Sequence, residues 1–262
     1  MIRKHKEIFK WRQLLFSLAL KDLKKKYRNA TGGVGWMLIL PFAQAVIFSF
    51  IFKFLFKVEV DNYPLFLLSG LFPWVFLRSS LDAAKDSILN NANLIKKSYF
   101  PRQVLPISNI VSNFINFLFA LVILLLFSVF YAKVRLSALW SLPLLILIQL
   151  VMMCGISLLV SSLNTIFRET EFLMDILFLV WFYITPIVYP LQMLKNILHP
   201  AILRLYALNP MVGIISGYQE IFVYGNRPDM GLLSISFFFS LLIFFFGWAV
   251  FSRCEQVFAD LI

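Results

Sequence analysis

The run Gly231-Leu-Leu-Ser-Ile-Ser-Phe-Phe-Phe-Ser240-Leu-Leu-Ile-Phe-Phe-Phe-Gly247-Trp-Ala-Val-Phe-Ser252 contains no Asp, Glu, Lys or Arg. A helix rising 1.5 Å per residue needs about 20 apolar residues to cross a bilayer's hydrocarbon core, and this run has that length. A barrel strand would show about 10 residues of alternating polarity instead. Working outward, comparable runs fall at 34–57, 64–89, 104–131, 138–163 and 172–190. An all-α integral membrane protein with six transmembrane helices is predicted. Composition agrees, since 61% hydrophobic residues, 17% aromatics and a mean hydropathy of +0.84 leave too little polar surface for a water-soluble body.

The second run is unlike the others. Its purely apolar part, Leu65 to Leu77, is followed by Arg78, Asp82, Lys85 and Asp86, so a polar helix buried against its neighbours is expected. Arg78 and Asp82 lie four apart on one helical face and should pair, because a lone charge at mid-bilayer costs ~2.5–3.5 kcal/mol even on insertion scales. Asp175 in the fifth run needs a polar neighbour for the same reason. Residues 191–224 form the longest connection. Within it, Gln192 to His199 and Met211 to Val223 are amphipathic but too short to span, which fits re-entrant or interfacial helices.

An even number of crossings returns both termini to one side. With that side cytoplasmic, sixteen Lys and Arg lie inside and seven outside, ten of the sixteen within residues 1–34. The positive-inside rule therefore predicts cytoplasmic termini. The basic start is not read as a signal peptide: the apolar run Leu14 to Leu20 is short and is followed by Lys21-Asp22-Leu23-Lys24-Lys25-Lys26. Ile8, Trp11, Leu15 and Leu18 instead make one stripe of an amphipathic interface helix lying in the bilayer plane, with Lys6, Lys10 and Lys21 on other faces to meet lipid phosphates. Residues 1–33 are thus a tail with an interface helix, and 34–262 a single transmembrane domain. Between them Gly32, Gly33 and Gly35 permit a tight elbow. Arg28 at that elbow can clamp a lipid phosphate through two parallel hydrogen bonds, or serve simply as a topology-setting cation.

The net charge of +11 is read as topology and lipid contact, not as nucleic-acid binding. Cys154, Cys254, His5 and His199 offer no metal-ligand spacing. No G-x-x-x-x-G-K-[ST] occurs, so the chain cannot cradle ATP phosphates, and no acidic triad or histidine-acid pair supports a membrane glycosyltransferase or acyltransferase.

Three further groups stand out. The segment Asn91 to Pro106 is short and basic between two apolar runs. Leu94, Ile95, Tyr99 and Phe100 cluster there between Lys96, Lys97 and Arg102, as a docking surface would require, and Pro101 and Pro106 fix its exit. Asn109, Ser112, Asn113 and Asn116 share one helical face, as the lining of a hydrated conduit or as hydrogen-bonding glue between helices. Phe178, Trp181, Phe182 and Tyr183 can present rings to a channel.

Five blocks carry a resemblance: Asp22-Leu-Lys-Lys-Lys-Tyr-Arg28 with Gly35 and Pro41, Leu94-Ile-Lys-Lys-Ser-Tyr-Phe-Pro-Arg102 through Leu105-Pro106, Phe167-Arg168-Glu169, Thr185-Pro-Ile-Val-Tyr-Pro190, and Asn209-Pro210. In order and placement they resemble the ABC-2 class of ABC transporter permeases, most closely the membrane subunits of O-antigen and related polysaccharide exporters. Val34 before Gly35 and Glu169 after Arg168 depart mildly from the family pattern.

The resemblance implies a coupling helix between helices 2 and 3, a second ATPase contact in the loop around Phe167, Arg168, Glu169 and Glu171, and gate helices between helices 5 and 6 on the periplasmic side. It implies a homodimer with two cytoplasmic P-loop ATPase subunits that bind ATP and Mg, the chain itself holding no cofactor. It further implies a bacterial inner-membrane location and a polyprenyl diphosphate-linked polysaccharide reaching the complex near Arg28. Teichoic acid, capsule polymer, a drug or another lipid are the alternative cargoes.

Overall fold

A computed structural model describes residues 11–27, 35–51, 62–131, 135–167 and 169–258. All regular structure among them is helical. In chain order the helices are α1 (Arg12–Tyr27), α2 (Gly35–Phe50), α3 (Tyr63–Lys85), α4 (Ala92–Lys97), α5 (Val104–Tyr131), α6 (Leu136–Leu139), α7 (Leu142–Ile166), α8 (Thr170–Ile184), α9 (Leu191–Ile197), α10 (Pro200–Ala207), α11 (Pro210–Gln219) and α12 (Met230–Cys254). A 3-10 turn, Leu89–Asn91, precedes α4, and a π turn, Glu220–Tyr224, follows α11.

Four described segments are long and apolar enough to span a bilayer: Tyr63–Lys85, Val104–Phe130, Leu136–Ile166 and Met230–Cys254. The first expected crossing, 34–57, is described only through α2, and its remainder lies outside the described residues. The fifth, 172–190, does not form one helix. The residue before a proline is steered into extended backbone, and Thr185 before Pro186 accordingly stops α8 at φ −102°, ψ 140°. The chain from Thr185 to Pro190 then turns inward, burying Ile187 and Val188. Non-helical backbone at this depth survives only if its carbonyls are satisfied within the protein. Gln219 Nε2 donates to Pro186 O (2.8 Å) and Tyr63 Oη to Val188 O (2.5 Å).

The core centres on α3. In its most apolar window 78% of residues are buried, against 22% for α12. Pro73 inside α3 removes one intrahelical hydrogen bond. Beside it, the fully buried Gln149 of α7 donates to Pro73 O (2.9 Å) and accepts from Tyr218 Oη of α11 (3.1 Å), joining three helices through one satisfied amide.

Helix α12 is held differently. Gly247 and Gly155 bring α12 and α7 into backbone contact, so that a Cβ at Gly247 would collide with the carbonyl oxygen of Gly155. Ser236 and Ser240 continue that small-residue stripe and are fully buried, while Phe238, Phe245 and Phe246 face outward.

One end of the bundle, here the base, has its own core of Leu18, Ile88, Ile95, Phe100, Trp248 and Phe251. The stripe of α1 that was expected to meet lipid points into it: Leu18 and Ala19 are buried, and Trp11, Leu14 and Leu15 pack on the same cluster. Burying that stripe against α5 and the base core leaves Phe16 and Leu20 on the outward face with Lys21 and Lys24. Ile8 lies outside the described residues.

At the opposite end, the crown, Asn209 caps α11 through Oδ1 to Met211 N (3.1 Å) ahead of Pro210, and His199 Nδ1 accepts from Ala201 N (3.3 Å) ahead of Pro200. Met211 to Val223, expected to be amphipathic, is buried nearly all round because Gly213 and Gly217 let it approach α12 and Leu145 of α7. Of the interfacial pieces only α9 and α10 show an exposed apolar side, with Met193, Ile197, Ile202 and Leu205.

Candidate functional site

The segment after α3 forms a knob at the base. Asn91 Nδ2 donates to Ser87 O (2.8 Å) across the 3-10 turn, and Ser98, extended at φ −141°, ends α4 after six residues. Ile95 and Phe100 are buried in the base core and Leu94 packs beside them, whereas Lys96 and Lys97 are exposed and Tyr99 is 96% exposed. Apolar anchors thus fix the knob from above and leave two cations and a ring projecting below.

Two joints hold the knob. Past the end of α12, Glu255 accepts from Gln103 Nε2 (3.0 Å) and from Arg102 N (3.4 Å), and its main-chain carbonyl accepts from the Arg102 guanidinium. A cavity of about 540 Å³ lies between Lys96, Lys97, Tyr99, Arg102, Ser252 and Glu255. At the foot of α3, the buried Lys85 pairs with Glu171 of α8 (3.0 Å). There Asn164 at the end of α7 donates to Asp86 Oδ1 (2.9 Å) and to Lys85 O (3.3 Å). The α7–α8 turn, where Glu169 is exposed, is therefore bonded to the same joint from which the knob hangs. Arg168 lies outside the described residues, as do Arg28, Gly32 and Gly33; Gly35 begins α2.

Above this joint runs a seam between α3 and α8. Arg78 Nη2 meets Asp175 Oδ1 at 3.0 Å, its Nε meets Asp82 at 3.6 Å, and its guanidinium lies 5.2 Å from the Phe178 ring centre. One arginine satisfies both acids. Farther along, Trp74 makes edge contacts with Phe178, Trp181 and Phe182, and Trp181 Nε1 donates to Asn209 Oδ1 (3.0 Å). Phe178 is buried, Trp181 and Phe182 are half-buried, and Tyr183 is 59% exposed.

The polar stripe of α5 faces α3. Asn109 Nδ2 donates to Ala83 O (3.2 Å) and Asn113 Nδ2 to Ser79 O (3.3 Å), while Asn116 bonds back to Ser112 O (3.5 Å). Asn109, Ser112 and Asn113 also line a cavity of about 260 Å³ shared with Asp22, Asp86 and Asn90. The stripe therefore does helix-joining work, with a polar hollow beside α1.

The sequence singled out Lys85, as a cation at the end of an apolar run, and Glu171, in the loop read as a second ATPase contact, but not their pairing with each other; Asn164, Gln149 and Glu255 it did not single out. Among the described residues no group of three or more His, Cys, Asp or Glu side chains could hold a metal.

The profile described as "ABC-2 type transporter" matches residues 13–223. The chain is 33% identical over 252 residues to "O-antigen export system permease protein RfbA" of Klebsiella pneumoniae, covering 95% of each chain. It is 29% identical over 260 residues to the protein of the same name from Myxococcus xanthus, covering 99% of each. It is 24% identical over 253 residues to "Polysialic acid transport protein KpsM" of Escherichia coli, covering 92% of this chain and 93% of that one.

Proposed function

The chain belongs to the ABC-2 type transporter family, and from that premise we propose that it is the permease of an exporter carrying a lipid-linked, O-antigen-type polysaccharide across the bacterial inner membrane. Such a permease is a membrane subunit without catalytic activity of its own, and membership implies a separate ATPase partner. The observation that carries the cargo reading is the near full-length likeness to permeases named for O-antigen export.

In this reading two copies pair, two ATPase subunits dock from the cytoplasm, and α2 and α8 complete six crossings with both termini inside. The ATPase grips Lys96, Lys97 and Tyr99, with Glu169 and Arg168 as its second hold. Movement of the knob is carried upward through Lys85, Asp86, Asn164 and Glu171 into α3, α7 and α8. The exposed apolar face of α8, including Phe172, Ile176, Leu179 and Tyr183, is offered to the second copy or to the path between copies. Arg28 and the elbow glycines receive the lipid diphosphate.

The likeness to a polysialic acid transport protein supports a second reading, a capsular polymer as cargo. Deleting the gene and fractionating surface and membrane-bound polysaccharide distinguishes them. O-antigen lost from the surface, with lipid-linked polymer accumulating inside, is expected; loss of capsule alone selects the second reading, and an unchanged surface rejects both.

A further inference from the structure

The crown holds a cavity of about 430 Å³ walled by α9, α11, the π turn and the start of α12, within the ~300–1,000 Å³ typical of small-molecule sites. It takes no part in the coupling route above. Its polar groups are fixed by the fold. Gly225, at φ 65°, reverses the chain after the π turn in a conformation that suits glycine, bringing Asn226 back over Glu220. Asn226 N donates to Glu220 O (2.9 Å) and Asn226 Nδ2 to the Glu220 carboxylate (3.4 Å). Asp229 caps α12 by accepting from Gly231 N (2.8 Å). Gln219 is 3% exposed, its amide nitrogen committed to Pro186 O. Gln192 and Lys195 of α9 stand exposed at the rim, and the Ser216 hydroxyl finds no partner among the described residues. Phe66, Leu191 and Leu232 supply apolar wall.

The charge pattern selects the ligand. A cation would face Lys195 and only two carboxylates, one already spent on a helix cap. An anion would face Glu220 and Asp229. An apolar molecule would leave the buried Ser216 hydroxyl unpaired and cover the Gln192 amide and the Glu220 carboxylate. A neutral sugar ring suits all of them, its vicinal hydroxyls pairing with amides and carboxylate and its C–H face lying on the apolar wall. Burial raises the Glu220 carboxyl above the usual range, with Asn226 and Lys195 opposing the rise.

We propose that this crown cavity is a saccharide-binding site for a sugar unit or two of the emerging polymer; the identity of the polymer, though not the sugar chemistry, rests on the function proposed above. Held there, the leading segment resists sliding back while the next stretch is moved from below.

The test uses the full chain with its ATPase subunit in nanodiscs and saturation-transfer NMR. The probes are lipid-free oligosaccharides released by mild acid from the source strain's own surface polysaccharide, together with chitotriose, cellotriose and mannotriose. Transfer to at least one probe is expected, about tenfold weaker in Gln192→Ala and in Glu220→Ala and unchanged in Ile202→Ala, which lies on α10 outside the cavity. Gln192 is exposed at the rim, so its variant keeps the fold even if Glu220→Ala does not. No transfer to any probe, or full transfer in Gln192→Ala, overturns the site. Gene deletion separates this from the cargo reading: lost surface polymer with no transfer sinks the cavity alone, whereas an intact surface with transfer to the neutral trisaccharides sinks the cargo alone.

Discussion

Helices α3 and α12 invert the soluble-protein rule. The phenylalanine-rich α12, whose one charge is Arg253 in its last turn, is the least buried of the four long spans, and α3, with Arg78, Asp82 and Lys85, is the most buried. In water apolar residues gather inside; in lipid both surroundings are apolar, and what distinguishes the inside is the supply of polar partners. α3 can carry charge because α8 brings Asp175 to Arg78 and Glu171 to Lys85, while Asn109 and Asn113 of α5 bond its backbone carbonyls. α12 needs no such partners and is held by close backbone approach along Ser236, Ser240 and Gly247.

The most forceful way to break this comparison is to remove the close approach. Gly247→Leu places a side chain where the Gly155 carbonyl stands, and neither backbone can yield without separating α12 from α7. Loss of monodisperse protein in size-exclusion chromatography is expected, whereas Phe246→Leu on the outward face elutes as wild type. Normal elution of Gly247→Leu would mean that the stripe does not hold α12.

The next largest effect lies in the seam. Arg78→Ala leaves Asp82 and Asp175 facing each other without their shared cation, at a cost of about 2.5–3.5 kcal/mol by insertion scales. Adding Asp175→Ala removes one of the stranded charges, so the double variant should be more stable than Arg78→Ala alone. A coupling of about 0.5–3 kcal/mol is expected in a double-mutant cycle read by unfolding in detergent. A coupling of zero would make the seam incidental.

The same contrast explains how far the sequence could be read. Run length and charge spacing found all four long spans, the Arg78–Asp82 pair and the need for a neighbour at Asp175, because these follow from 1.5 Å of rise per residue and from the cost of an unpaired charge. Periodicity names a face but not its partner, so Arg78 as the neighbour of Asp175, and α3 as the surface met by the Asn109 stripe, had to come from the fold. Apolar length cannot distinguish a span from a buried, broken segment. Residues 172–190 read as one crossing, and only Gln219 and Tyr63, distant in sequence, reveal that the backbone broken between Thr185 and Pro190 is satisfied from the side. The interface helix misled for a related reason. Trp11, Leu15 and Leu18 make a sound apolar stripe, but a stripe does not say whether lipid or protein will cover it.

The knob is where the two helices converge, and it sharpens the comparison with the smallest cost in stability. It continues from the foot of α3, and the residue just beyond α12, Glu255, takes hold of Arg102 and Gln103 at its exit. Exposed on its outer side for most of its length, α12 thereby reaches the knob through this acid, beside the base core that Trp248 and Phe251 share with Ile95 and Phe100. Glu255→Ala should cost about 1 kcal/mol, the scale of a modest hydrogen-bonding loss at a partly solvated site, and leave association with the ATPase subunit intact. ATP-driven export should fall because the knob can then tilt without carrying α5 and α12 along. Lys96→Glu with Lys97→Glu should instead weaken association itself, since those cations project from the knob and support nothing above it. Co-purification and export measured on both variants decide the point. If Glu255→Ala exports normally, α12 is only a lipid-facing buttress, and motion from the knob enters the membrane through α3 alone.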